Sequence, residues 1–177
     1  MNRTLSRVDI SSSIEDLLNQ VIMTYSLGRV ISYKFFDLGY EDLNIKLITN
    51  KGAYVIKVFS KFRHTRSIKD YIKGLIEFRK AGILTPRLKE HKEGYLLKVP
   101  GKNKESYLCV MEYFPGKSLK ELGVTEKDLF SIAKIVGKIN RLHFTVISDY
   151  DSWGVTNVVH EYSKNNKFLA PEDLTTI

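Results

Sequence analysis

Tyr54-Val55-Ile56-Lys57-Val58-Phe59 decides how this chain is to be read. β-Branched and aromatic residues fill it, and the turn formers Asn50-Lys51-Gly52 precede it, so it reads as a buried strand. Successive side chains along a strand point to opposite faces. Lys57 therefore shares a face with Val55 and Phe59, while Tyr54, Ile56 and Val58 look the other way. An ammonium so placed must pair with an anion, snorkel to water or give up its proton, because a buried unpaired charge costs several kcal/mol or more. One strand earlier lies the polar turn Gly39-Tyr40-Glu41-Asp42-Leu43-Asn44, able to lie over whatever Lys57 holds. Together the two stretches point to an anion site, and a nucleotide phosphate is the anion that suits it best.

Outward from this strand the pattern is regular. Short Gly-containing links join predicted strands at 30–38, 43–49 and 53–59 into an antiparallel meander. Upstream, Ile14, Leu17, Leu18, Val21, Ile22 and Tyr25 keep helical spacing over 12–25. Ser12 and Glu15 form a capping box there, and Gly28 is placed to end the helix. Downstream, Ile68, Tyr71, Ile72, Leu75, Ile76 and Phe78 predict a second helix, closed by Gly82 and followed by Pro86. Strands at 95–99 and 107–112 flank a polar turn at 100–105. The chain breaks at Phe114-Pro115-Gly116, after which the signals are helical: a short piece at 118–122 and a capped helix at 125–143. Gly137 within that helix costs stability and marks close packing. Residues 148–177 are mixed and polar. The class is α+β: a five-stranded antiparallel sheet with one main helix, then the first helices of an α-helical region.

Bulk properties bound the function. The chain has 177 residues, 43% of them hydrophobic, enough for one good core or two small lobes. A net charge of +8 favours anionic partners. The lysines are scattered rather than stacked on one helix face, which indicates a solvated basic surface in place of a nucleic-acid footprint. Tyr33, Phe35, Tyr54 and Tyr107 would form a nucleic-acid platform only on a sheet face left uncovered. Cys109 is the single cysteine, so no intrachain disulfide forms, and its apolar strand makes it an inert core thiol. No apolar run approaches the ~20 residues of a membrane helix. Asp9, Glu15 and Asp16 stand where a signal peptide would carry its apolar stretch. A cytoplasmic protein without membrane partners is expected.

Four stretches, in this order, resemble the N-terminal lobe of the kinase-like fold, and most nearly the aminoglycoside phosphotransferase and choline kinase-like family. Leu38-Gly39-Tyr40-Glu41-Asp42-Leu43-Asn44 is similar to that family's nucleotide-positioning loop. Gly52-Ala53-Tyr54-Val55-Ile56-Lys57-Val58 is similar to its third strand with the phosphate-binding lysine. Gly82-Ile83-Leu84-Thr85-Pro86 resembles its helix-to-strand link, and Cys109-Val110-Met111-Glu112-Tyr113-Phe114-Pro115-Gly116 its hinge between lobes. The resemblance spans roughly residues 30–145. It implies a nucleotide-binding lobe with an N-terminal helix over 1–113, then a hinge and the start of a helical C-lobe over 114–177.

The resemblance also implies roles. Lys57 would contact the α- and β-phosphates of ATP or GTP, and Gly39, Tyr40, Glu41 and Asp42 would close over them. The Glu112 carbonyl and the Phe114 amide, on either side of Tyr113, would meet the purine edge, with Met111 behind the ring and Val55 above it. A helix carboxylate pairs with the lysine in this fold, and Asp70 is the candidate here. The family's catalytic His-x-Asp-x-x-x-x-Asn string occurs nowhere in the 177 residues. The expectation is therefore a truncated phosphotransferase, inactive alone, whose complete form uses ATP or GTP with Mg2+ and a small-molecule acceptor. The alternative is a non-catalytic kinase-like module that binds nucleotide or protein.

Overall fold

The computed structural model describes residues 8–36, 41–144 and 158–165. The chain divides into two compact units, Met1–Thr145 and Val146–Ile177. The first contains α1 (Ile14–Tyr25), β1 (Val30–Phe35), β2 (Leu43–Thr49), β3 (Gly52–Val58), α2 (Thr65–Lys80), β4 (Leu96–Val99), β5 (Ser106–Glu112), α3 (Leu119–Leu122) and α4 (Glu126–Ile139). The second contributes α5 (Val158–Asn165), a helix not anticipated from its polar sequence. Among the described residues no helix is long and apolar enough to cross a membrane.

The five strands form one antiparallel sheet in the order β1-β2-β3-β5-β4. Alternation along each strand sorts its side chains between two helices. Leu43, Ile45 and Leu47 of β2, Tyr54, Ile56 and Val58 of β3, and Leu108 and Val110 of β5 join Leu17, Leu18, Val21 and Tyr25 of α1 in the larger core. Val55, Cys109 and Met111 point to the other face, where Phe59 and Ile68, Tyr71, Ile72 and Leu75 of α2 cover them. Tyr54 thus lies in the α1-side core and Tyr107 in the α2-side one, so the sheet aromatics do not share a platform.

Local signals shifted in two places. The N-cap of α1 is Ser13, whose hydroxyl accepts from the Asp16 amide, one residue later than the expected Ser12–Glu15 box. The helix ends not at Gly28 but at Ser26, which itself takes the left-handed conformation (φ 53°). Gly28 is required for a different reason: its φ is +87°, and a Cβ there would lie 2.3 Å from the Asn50 Oδ1 that caps the neighbouring Arg29 amide.

Thr125 caps α4 in a reciprocal box with Asp128, as its sequence required. The helix stops at Ile139, four residues short of the expected end. Leu129, Phe130, Ile132, Ile135 and Val136 on it are exposed. A Cβ on Gly137 would approach only the flexible end of Arg141, so the close packing expected of that glycine is absent among the described residues.

A clip near the amino terminus completes the α1 side. The Asp9 carboxylate accepts hydrogen bonds from three successive amides of the β4–β5 turn, Lys102 (2.9 Å), Asn103 (2.9 Å) and Lys104 (3.1 Å). Ser106 Oγ donates to the Asp9 carbonyl, and Ser11 binds the Pro100 carbonyl. The Asn103 amide foremost, opposed by burial and helped by the Lys104 and Lys102 amides, holds the Asp9 carboxyl below its ordinary value of 3.8. A lowered folded-state value means that this stabilisation is full above 3.8 and is lost as pH falls through the depressed value. Asp9→Asn is expected to lower the melting temperature at neutral pH and to flatten its decline in acid. Identical melting curves for the two proteins across pH would show that the clip contributes nothing.

Candidate functional site

Register decides which groups can meet Lys57. In the β2–β3 pair Asn44 stands opposite Lys57 and Leu43 opposite Val58. Asp42, two residues from Asn44 and on the same face, is the diagonal neighbour of Lys57, a separation that a long side chain spans. The Lys57 Nζ lies 2.7 Å from Asp42 Oδ2, with the lysine side chain 15% and the aspartate 4% exposed. The other carboxylate oxygen, Oδ1, accepts from the Ser60 amide (2.9 Å) and from Arg63 Nε (3.0 Å). Arg63 then reaches outward to the exposed Glu41 at 3.1 Å. The turn that follows β3 sets Arg63, whose amide donates to the Ser60 carbonyl.

Burial alone would raise the Asp42 carboxyl. The hydrogen bond and charge of Lys57, the Ser60 amide and the charge of Arg63 outweigh it and hold the group below its ordinary 3.8. Around the amine, the Tyr71 ring centroid lies 5.3 Å from Nζ and that of Phe59 5.9 Å, within cation–π range. Burial pushes the Tyr71 hydroxyl up to about 12, with further upward contributions from Cys109 and Asp42. Cys109, directly across from Lys57, is fully buried, and burial drives its thiol to about 12. It is held as a neutral thiol.

Val55 pairs with Met111 on one side and with Lys46 on the other, so these side chains form a row next to that of Lys57. Lys46 Nζ sits 3.8 Å from the centre of the Tyr113 ring. The strap after β5 is tied to its neighbours by the Tyr113 amide, which donates to the Ala53 carbonyl (2.9 Å), and the Glu112 amide, which donates to that of Arg87 (2.8 Å). Phe114 is exposed.

Among the residues singled out from sequence, Lys57, Glu41 and Asp42 are brought together, Val55 lies on the same strand as Lys57, and Met111 and Glu112 lie on β5 with Tyr113 just after it. Gly39 and Tyr40 fall outside the described residues. The carboxylate found on Lys57 comes from the turn, not from the helix position where Asp70 was the candidate. Asp42, expected to close over the phosphates, is instead buried at the root of that turn. Sequence reasoning missed Arg63 and Lys46. Both were within reach of register: Arg63 follows the end of β3 that faces Asp42, and Lys46 keeps the period-two phase of Asn44.

The microcompartment-associated aminopropanol kinase is similar in structure, with a TM-score of 0.61 at 14% sequence identity, covering 81% of this chain and 46% of that one. Aminoglycoside phosphotransferase APH(4)-Ia matches with a TM-score of 0.41 at 15% identity, covering 72% of this chain and 38% of that one. The chain thus spans about half the length of these structures or less. No family model matches it, and no curated protein matches it in sequence. At such identities the likeness is one of fold: the chain has a kinase-like fold, its five-stranded antiparallel sheet that of the N-terminal lobe.

Removing one member of a buried ion pair strands its partner, which typically costs about 3 kcal/mol or more. Asp42→Ala leaves Lys57 and Arg63 without their shared carboxylate, whereas Lys57→Met leaves Asp42 with Arg63 and the Ser60 amide. Urea unfolding is expected to show the larger loss for Asp42→Ala. The double substitution should cost less than the sum of the two. Strict additivity would show that the pair does not act as a unit.

Proposed function

We propose that this chain is the nucleotide-binding portion of an ATP- or GTP-dependent phosphotransferase that passes a γ-phosphoryl group to the hydroxyl of a small molecule. The observation that carries this is the Lys57–Asp42 pair on the α2-side face of a kinase-like sheet. The donor set suits a polyphosphate. Lys57 and Arg63 bring two positive charges against the one negative charge of Asp42, and Glu41, the further carboxylate on Arg63, is solvent-exposed. Counted together the four charges balance, and the two cations are what an arriving anion would meet.

On this reading Lys57 holds the α- and β-phosphates, with the buried Asp42 carboxylate behind the amine. Val55 and Met111 offer apolar surface to the purine, and the Glu112 carbonyl and Phe114 amide bind its edge beside Tyr113. The boundary at 113/114 is then a functional one, the hinge. Among the described residues no group of three His, Cys, Asp or Glu side chains is arranged to hold a metal. Mg2+ enters the proposal only as the counter-ion that a nucleotide carries. The chemistry supplied by these residues is positioning and charge neutralisation. An acceptor of the small hydroxyl class is suggested by the aminopropanol kinase that shares the fold. A cytoplasmic location, where nucleotide triphosphates are abundant and Cys109 stays reduced, belongs to the same proposal.

A second reading is a kinase-like module that binds nucleotide or protein without chemistry. Nucleotide binding is common to its first form and to the phosphotransferase, so it is the property to test first. Thermal shift of the wild type with millimolar ATP or GTP is expected to raise the melting temperature, and Lys57→Ala to weaken the nucleotide about tenfold or more. Equal shifts for the two proteins would remove Lys57 from the site. The same sample, supplied with ATP and candidate amino alcohols, is expected to transfer no phosphate at ordinary kinase turnover.

A further inference from the structure

We infer that Asp42 is the positioning residue for Lys57, so that the turn leading into β2, in place of the sheet-packed helix, supplies the carboxylate that aims the phosphate-binding amine. The inference rests on the nucleotide reading given above. Both carboxylate oxygens are committed: Oδ2 to Lys57 at 2.7 Å, and Oδ1 to a main-chain amide and to Arg63. The amide contact fixes the carboxylate to the backbone at Ser60, so the pair is anchored at both ends and is not a mobile surface contact. At 4% exposure Asp42 is shielded from the screening that weakens exposed ion pairs.

The same contacts decide whether Asp42 aids or competes with a phosphate. A phosphate that displaced it would leave a buried carboxylate without its lysine, a costly state. A phosphate that joins the pair leaves every existing contact in place. An ammonium has three protons to donate, and one is directed at Asp42. The lysine side chain keeps 15% exposure, so a ligand can approach from the solvent side. Asp42 therefore holds Lys57 in place and leaves donor capacity for the ligand.

The test compares adenosine, ADP and MgATP as probes on the full chain, wild type against Asp42→Asn and Asp42→Glu. The quantity read is the ratio of MgATP to adenosine affinity, which a general loss of fold would not shift selectively. In Asp42→Asn this ratio is expected to fall about tenfold with adenosine affinity unchanged, and Asp42→Glu should recover part of it. An unchanged ratio in Asp42→Asn would overturn the positioning role, and so would a raised one, because that would make Asp42 a competitor. If Asp42→Asn does not fold, the Asp42 carboxyl 13C resonance of the wild type decides. It is expected to hold its position as MgATP saturates the site, and a move towards that of an unpaired carboxylate overturns the inference. A wild type that binds MgATP no better than adenosine would instead sink the nucleotide-phosphate reading, and this inference with it.

Discussion

A positive charge on the inner face of a sheet is the constraint from which the rest of this lobe follows. Lys57, with its side chain only 15% exposed, cannot be covered by α2 without an anion held beside it. The chain answers with Asp42, and Asp42 in turn requires more donors than one ammonium provides. The Ser60 amide and Arg63 satisfy it, so one buried charge recruits a strand, a turn and a second cation into a single structure. Around it, apolar contacts do the ordinary work. Phe59, Ile68, Ile72 and Met111 exclude water from the pair and so strengthen it.

The two faces of the sheet have different duties. Towards α1 the strands present Leu43, Ile45, Leu47, Ile56, Val58, Leu108 and Val110, all fully buried. That face is a stability core, closed further by the Asp9 clip on the β4–β5 turn. Towards α2 the packing covers β3, β5 and β4, while β2 shows half-buried Asn44 and Lys46 and exposed Ile48. The uncovered strip beside Val55 is where polar and cationic side chains gather, including Lys46 over Tyr113. Because alternation is strict, the same six or seven residues of a strand build the core with one phase and the site with the other.

Much of this was legible in the residues, and the failures share a cause. Period-two alternation around Lys57 set the strand, its face and the meander, because a strand buried on both sides leaves few other ways to place an ammonium. The helix at 65–80 was recognisable from Ile68, Tyr71, Ile72 and Leu75. Local sequence did not decide between Ser12 and Ser13 as N-cap, since both hydroxyls have a carboxylate three residues on and only the tertiary position of α1 separates them. Gly28 looked like a helix cap but serves the approach of Asn50, a residue twenty-two positions away. The partner of Lys57 was sought on the helix, at Asp70, although strand register alone brings Asp42 to it. Both readings needed a contact between segments, and spacing along one segment carries no trace of such a contact. On α4 the reverse holds: its cap and periodicity specify a helix locally, and its apolar residues remain exposed.

Where the lysine's carboxylate sits has a consequence for control. A carboxylate carried on a sheet-packed helix can be withdrawn when that helix moves, as in protein kinases, where helix position controls the pairing of the lysine. Asp42 directly precedes β2, whose Leu43 pairs with Val58 of β3, so its separation from Lys57 follows ladder register. A slip of one residue between β2 and β3 would turn Asp42 to the α1 side and expel Leu43, Ile45 and Leu47 from the core. Breaking the pair by rearrangement therefore means breaking the meander, and the free energy that protects the fold also protects the aim of the amine. With the carboxylate set beside the sheet, the position of the Lys57 amine is fixed once the lobe has folded, and rearranging the pair requires rearranging β2 against β3.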